Sequence, residues 1–277
     1  MLSTACAIDL AWTSQDLTSA PPRFFVARTV AMVLALLVPA IAVGQEGDPT
    51  SGRGPGQEII YVAAPTLAPI RIQLPEGYDA DQTYPLVIGL HGHGGRGDEF
   101  FTPAPMFARA GVVYAVLQAP YAFPSAGRIG YSWNLRGVDN DAGDQGDNEL
   151  SIRYILTVLD TLEEKFHPGE VYLMGFSQGG TMTYQTAIGN HQRFKGFTVF
   201  GSWYRPEWFS AEEVAAANHL RVFIGHGRQD PVAERSTTSS EILEAAGYDV
   251  TLYDYDGGHT IATSAIQKMF EWMEQGR

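Results

Sequence analysis

Residues 171–180 read Val171-Tyr172-Leu173-Met174-Gly175-Phe176-Ser177-Gln178-Gly179-Gly180, an apolar run that ends in one serine crowded by three glycines. A strand that must turn into a helix within one or two residues needs positions without a Cβ. The apex residue is then held in strained backbone geometry and its neighbours pack tightly. Ser177 would be that apex. A serine between glycines is also an ordinary turn residue, so the chemistry depends on whether the chain supplies a base, an orienting acid and donors for a developing oxyanion.

Outward from this stretch, residues 85–90, 112–117, 171–175, 196–200, 221–224 and 250–253 are short apolar runs without alternation, the pattern of strands buried on both faces. Helical periodicity falls between several of them, over residues 150–166, 178–189, 236–246 and 260–273. The alternation predicts an α/β fold with a mostly parallel central sheet of about eight strands and helices on both faces. Residues 58–62 and 70–74 read as an antiparallel pair at one sheet edge, so the catalytic domain is expected over 58–277. Two connections, 121–148 and 202–218, are longer than such a sheet needs and are rich in aromatic residues. Long loops beyond the carboxyl ends of parallel strands are where ligands bind, which makes Trp133, Trp203 and Tyr204 candidate pocket walls. Core packing under a loop is the alternative for each of these rings.

A serine hydroxyl is a poor nucleophile at neutral pH and needs a histidine whose other nitrogen is held by a carboxylate. Behind a strand-turn-helix elbow, the acid and then the histidine follow the serine on loops after later strands. Downstream of Ser177, one strand runs into Gly225-His226-Gly227-Arg228-Gln229-Asp230-Pro231-Val232 and the next into Asp254-Tyr255-Asp256-Gly257-Gly258-His259-Thr260. Asp230 and His259 are thus placed as acid and base, with Asp256 as the alternative acid. Oxyanion stabilisation requires backbone N–H groups from a loop above the early strands and from the residue after the nucleophile. The glycine-rich segment Leu90-His91-Gly92-His93-Gly94-Gly95 assigns those donors to the amides of His93 and Gln178. The His91 and His93 side chains then hold the loop; a metal site on these two histidines has no third ligand at a suitable spacing.

Leu90-His91-Gly92, GFSQGG at 175–180, the HG…DPV pattern of 226–232 and GGHT at 257–260 together resemble the α/β-hydrolase superfamily. Within it they are similar to the phospholipase/carboxylesterase group of small serine esterases, with its exported polyester-depolymerase and feruloyl-esterase-like relatives. The resemblance covers about residues 84–273. It implies a hydrolase without a cofactor that cleaves carboxylic esters through an acyl-enzyme, with Ser177, Asp230 and His259 in the triad positions. Small carboxylesterases of this type often carry a Gly-Asp pair close after the HG, whereas Gly97-Asp98 is displaced here, which leaves subfamily and acyl preference open. Short acyl esters, hydroxycinnamoyl sugar esters and polyester chains all fit the motifs. A serine peptidase on the same fold and a non-catalytic binding module are the rival classes.

The bulk composition is compatible with this. The 277 residues carry a formal charge of −13, which argues against a general affinity for nucleic acid or anionic lipid and leaves a small-molecule or polymeric ester as the expected partner. The single cysteine, Cys6, cannot form an intramolecular disulfide, and no Cys/His spacing suggests zinc. Arg23 and Arg28 precede the apolar run 29–38, which is short for a bilayer span, and small residues follow at 40–45. Residues 1–44 are therefore expected to contain a signal peptide cleaved after Ala42 or Gly44, giving an exported protein without stable membrane association. An uncleaved anchor and a buried helix are the alternatives. Residues 45–57 read as a Gly/Pro/Ser linker. The acidic stretch 139–149 is dense in oxygen ligands that could suit calcium but lacks the EF-hand order. A solvated loop, with Asp147 or Asn148 capping the helix that follows, is the preferred reading.

Overall fold

The computed structural model describes residues 67–135 and 147–276. The expected signal peptide and linker, Cys6, the strand at 58–62 and acidic residues 139–146 lie outside these segments.

The described chain runs β1 (Ile70–Gln73), β2 (Leu86–Leu90), α1 (Gly97–Phe100), α2 (Ala104–Arg109), β3 (Val113–Leu117), β4 (Tyr121–Ser125), β5 (Arg128–Ser132) and α3 (Asp147–Phe166). It continues through β6 (Val171–Phe176), α4 (Gln178–Gly189), β7 (Gly196–Phe200), α5 (Ala211–Ala216), β8 (Arg221–Gly227), α6 (Ala233–Ala245), β9 (Asp249–Tyr255) and α7 (Thr263–Glu274). Seven strands form the main sheet in the order β1-β3-β2-β6-β7-β8-β9. β1 is antiparallel to β3, and every other pairing is parallel. The main sheet thus holds seven of the eight strands expected from the sequence, and the eighth, at 58–62, lies outside the described residues. Among the described residues β4 and β5 pair only with each other.

Because side chains alternate across a strand, the sheet feeds two cores. Leu86, Ile88, Leu90, Leu173, Phe197 and Val222 pack with Leu159 of α3, Met182 of α4 and Leu243 of α6 on one face. Val87, Tyr114, Tyr172, Met174 and Phe223 pack with Phe107 of α2 and Met269 and Trp272 of α7 on the other. Burying each large side chain is worth roughly 1.5–3 kcal/mol, which explains why the strands are uninterrupted apolar runs. β2, β3 and β7 are buried throughout. β9 departs from the expectation of burial on both faces: as the edge strand it has partly exposed positions, Leu252 at 38% among them.

The segment 121–132, expected as a loop, is a hairpin. Its turn places Ala126 at φ 48° and Gly127 at φ 79°, the two positive angles that suit the twist of paired strands. Alanine at the first of these positions, and Pro124 within β4, hide the hairpin from the sequence. In the other long connection, Ser210 caps α5 by accepting from the Glu213 amide at 3.2 Å, while the Glu213 carboxylate accepts from the Ser210 amide at 2.8 Å.

Candidate active site

Ser177 sits between β6 and α4 at φ 54°, ψ −118°, a conformation that L residues adopt only where the surroundings over-determine it. The surrounding glycines do so by close approach. A Cβ at Gly175 would lie 2.2 Å from the Gly179 carbonyl oxygen, one at Gly179 2.2 Å from the Leu90 oxygen, and one at Gly180 2.7 Å from Ser202 Cβ. The Ser177 amide donates to the Phe200 carbonyl at 2.9 Å, tying the elbow to β7.

The structure brings the three separated segments together. His259 Nδ1 donates to Asp230 Oδ2 at 2.8 Å, which leaves Nε2 to accept from Ser177 Oγ at 2.9 Å. The Asp230 side chain is 0% exposed and the His259 side chain 40% exposed, so the carboxylate is shielded while the imidazole reaches solvent. Asp230 Oδ1 also accepts from the Val232 amide at 2.9 Å. Asp256, the alternative acid, pairs with Arg228 instead, as does Asp254. The acid and base loops are fastened to each other: the Gln229 amide donates to the Gly257 carbonyl at 2.9 Å, and the Gly257 amide donates to Gln229 Oε1 at 2.9 Å. A Cβ at Gly227 would lie 2.2 Å from the Gly257 oxygen, so only glycine permits this approach. The Tyr255 hydroxyl donates to the Thr260 carbonyl at 2.6 Å and anchors the far side of the histidine loop.

The glycine-rich loop after β2 runs against the serine. A Cβ on Gly92 would lie 3.3 Å from Ser177 Cβ. The amides of His93 and Gln178 donate to no protein acceptor among the described residues, the state required of oxyanion donors. His91 holds this loop from beneath: its Nδ1 donates to the Gly92 carbonyl at 2.8 Å, and its Nε2 accepts from the Ala119 amide at 3.1 Å. Both nitrogens are spent within the protein, so no lone pair is free for a metal. Burial lowers the His91 pKa to about 4, keeping the ring neutral. His93 stacks on Phe123 of the hairpin at 4.7 Å; burial lowers its pKa as well, and the Gln178 side chain opposes the shift.

Sequence reasoning missed how the oxyanion loop is braced. Gln178 Oε1 accepts from the Trp133 amide at 3.0 Å, and its Nε2 donates to Ser132 Oγ at 2.9 Å and Asn134 Oδ1 at 3.1 Å. The Trp133 indole N–H donates to the His91 carbonyl at 2.7 Å. Gly201, after β7, was also missed. It has φ 55°, and a Cβ there would lie 3.0 Å from Asp230 Oδ2 and 3.1 Å from His259 Cε1. A lone glycine at the end of an apolar strand was the available signal.

A cavity of about 590 Å³ opens beside this site, lined by Gly92, Phe100, Met106, Phe176, Ile261 and Ile266 among others. Phe176 links it to the triad, its ring lying 4.7 Å from that of His259. Of the candidate aromatic pocket walls, Trp133, Trp203 and Tyr204, none lines this cavity. Trp133 is fully buried because its indole N–H is needed inside. Tyr204 is buried by stacking on Phe209 and meeting Tyr184 edge-on. Trp203, partly buried, packs against Arg205 and Arg235.

A mostly parallel sheet with a strained serine elbow after β6, an acid after β8 and a histidine after β9 is the architecture of an α/β-hydrolase. Residues 78–275 match the phospholipase/carboxylesterase family, and the chain belongs to that family. It is 30% identical over 141 residues to feruloyl esterase B of Thermothelomyces thermophilus, covering 49% of this chain and 44% of that protein. It is 28% identical over 128 residues to acyl-protein thioesterase 1 of Gibberella zeae, covering 44% of this chain and 54% of that protein. The chain thus spans about half the length of these two relatives. The crystal structure of esterase PE8 superposes with a TM-score of 0.61 at 20% identity, over 76% of this chain and 100% of that one.

Proposed function

We propose that the protein cleaves carboxylic esters through a serine acyl-enzyme, with Ser177 as nucleophile, His259 as general base and acid, and Asp230 as the group that orients the imidazole. The observation that carries this is the unbroken relay from Ser177 Oγ to His259 Nε2, 2.9 Å, and from His259 Nδ1 to Asp230 Oδ2, 2.8 Å. As Oγ attacks the ester carbonyl, its proton passes to Nε2, and buried Asp230 stabilises the resulting imidazolium. The carbonyl oxygen, now negative, is received by the amides of His93 and Gln178. The tetrahedral species collapses as His259 returns the proton to the departing alkoxide. Water, deprotonated by the same nitrogen, then releases the acid and frees Oγ.

The apolar cavity lies within the size range of small-molecule sites and is assigned to the acyl group. Thioester hydrolysis at the same serine is the second reading, favoured by the similarity to an acyl-protein thioesterase. Export through residues 1–44 belongs to the same proposal. The test is Ser177→Ala: turnover of p-nitrophenyl butyrate should fall by roughly 10⁴-fold or more, and an organophosphonate should label the wild-type peptide that contains Ser177. Undiminished turnover, or label on another peptide, refutes the assignment. Parallel assays with S-butyrylthiocholine and butyrylcholine separate the thioester from the oxyester reading.

A further inference from the structure

The apolar cavity occupies one side of the site. It draws on α1, α2 and the start of α7, which pack on one face of the sheet. The loop after β7 turns to the other face, where Tyr204 and Phe209 join the core beneath α4 and α6. This loop leaves Gly201, at the His259–Asp230 pair, and reaches Trp203 two residues later, a span of about 7 Å. Both neighbours of Trp203 are buried and tied to α6. Ser236 Oγ donates to the Ser202 carbonyl at 2.8 Å, and the Tyr204 amide donates to Ser239 Oγ at 2.8 Å. Trp203 is therefore seated on rigid supports beside the acid loop.

Two guanidiniums pack on the Trp203 ring: Arg205 at 4.9 Å and Arg235, from the first turn of α6, at 4.7 Å. Arg205 also lies 4.8 Å from the Trp208 ring. Their situation differs from that of Arg71, Arg96, Arg128, Arg193, Arg221 and Arg228, each of which faces a carboxylate. Among the described residues neither Arg205 nor Arg235 forms an ion pair, although Glu207 and Glu234 are close in sequence. Arg205 Nε is buried and has no hydrogen-bond partner among the described residues, so ring stacking holds the head group and its donors remain unspent there. In a chain of net charge −13, two cations that form no ion pair among the described residues are available to an anionic ligand.

We infer that Arg205 and Arg235, packed on Trp203, form a subsite for an anionic group, a carboxylate or phosphate, on the part of the substrate that departs as the alcohol. The inference rests on the esterase reading above, with the acyl group in the apolar cavity on the opposite face. A guanidinium fork matches an oxyanion in bidentate fashion, and the neighbouring indole edges suit an aromatic ring that carries the charge. The preferred substrate class is an ester whose alcohol portion is an aromatic acid.

The test compares kcat/KM for 4-carboxyphenyl butyrate with that for its neutral counterpart, 4-carbamoylphenyl butyrate, in the same enzyme preparation, so that any loss of folded protein cancels from the ratio. The wild type should favour the carboxylate by about tenfold, the worth of one charged hydrogen bond. The double variant Arg205→Gln/Arg235→Gln should bring the ratio near one, and Arg205→Glu/Arg235→Glu should invert it. Raising the ionic strength from about 0.01 M to about 0.15 M should shrink the wild-type preference. A stronger preference for 4-phosphonophenyl butyrate, lost in the same variants, would identify phosphate as the anion recognised. A wild-type ratio of one or below, or a preference that survives the double glutamine variant, overturns the subsite and leaves the esterase reading standing. Failure to turn over either ester removes the subsite and also counts against the esterase reading, which Ser177 labelling tests independently.

Discussion

Replacing Gly201 by alanine should damage catalysis more than it damages the fold. The backbone there has φ 55°, and the added Cβ would meet Asp230 Oδ2 at 3.0 Å and His259 Cε1 and Nδ1 at 3.1 Å. A left-handed alanine costs about 1–2 kcal/mol, which for a domain of this size lowers the melting temperature by roughly 2–8 °C. The crowding adds a separate effect. Non-bonded carbon atoms settle at about 3.5–4.0 Å, so the imidazole must retreat by roughly 0.4–0.9 Å. A misplacement of about 1 Å at a reacting group costs about a hundredfold, so kcat should fall by roughly sixfold to sixtyfold. Gly111 supplies the control: it has φ 69°, but a Cβ there would meet nothing within 4 Å. Gly111→Ala should show a similar thermal shift with kcat intact. The assay is p-nitrophenyl butyrate hydrolysis under saturation, paired with thermal melts of both variants. If Gly201→Ala kept kcat within about twofold of wild type while melting like Gly111→Ala, the steric reasoning would be wrong.

Three other outcomes are expected. His91 is held neutral down to a pKa of about 4, against 6.5 for a free histidine. The unfolded chain therefore binds a proton that the folded chain refuses as pH falls from about 6.5 to about 4, and stability drops across that window by on the order of 3 kcal/mol. Urea midpoints of His91→Gln should vary less over the window than those of wild type; equal slopes would exclude His91 as the source. Gln178→Ala keeps the backbone amide but removes the bonds to Ser132, Trp133 and Asn134, so kcat should fall by about tenfold to a hundredfold with KM little changed. A change confined to KM would count against this bracing role. Expression of the full chain in a secreting bacterial host should yield mature protein starting near Gln45, read by N-terminal sequencing; an intact Met1 terminus on exported protein would contradict signal cleavage.

The fold was legible where local backbone sterics or continuous burial dictated the residues. GFSQGG announces the elbow because a Cβ at Gly175, Gly179 or Gly180 collides with neighbouring atoms, and Gly196–Phe200 is mostly apolar and buried throughout because β7 lies mid-sheet. The acid and base positions followed from chain order, since each sits directly beyond a strand. What stayed hidden depends on partners distant in sequence. The hairpin lacks the usual asparagine-glycine turn, α1 and α2 are too short for helical periodicity to register, and the exposure of β9 follows from its place at the edge. Which loop aromatics face a pocket was not legible, because an aromatic ring is equally at home in a core. Trp133 and Tyr204 are structural, while smaller residues from α1, α2 and α7 line the cavity. Gly201 was one glycine among 30.

Gln229, Gly257 and the paired backbones of β8 and β9 make the acid and the imidazole passengers on one carrier, whereas the nucleophile rides with β6 and α4. Heat or denaturant that loosens the sheet midway will part oxygen from nitrogen while nitrogen and carboxylate stay joined. Activity should then fade ahead of the global melt, and cooling should bring it back.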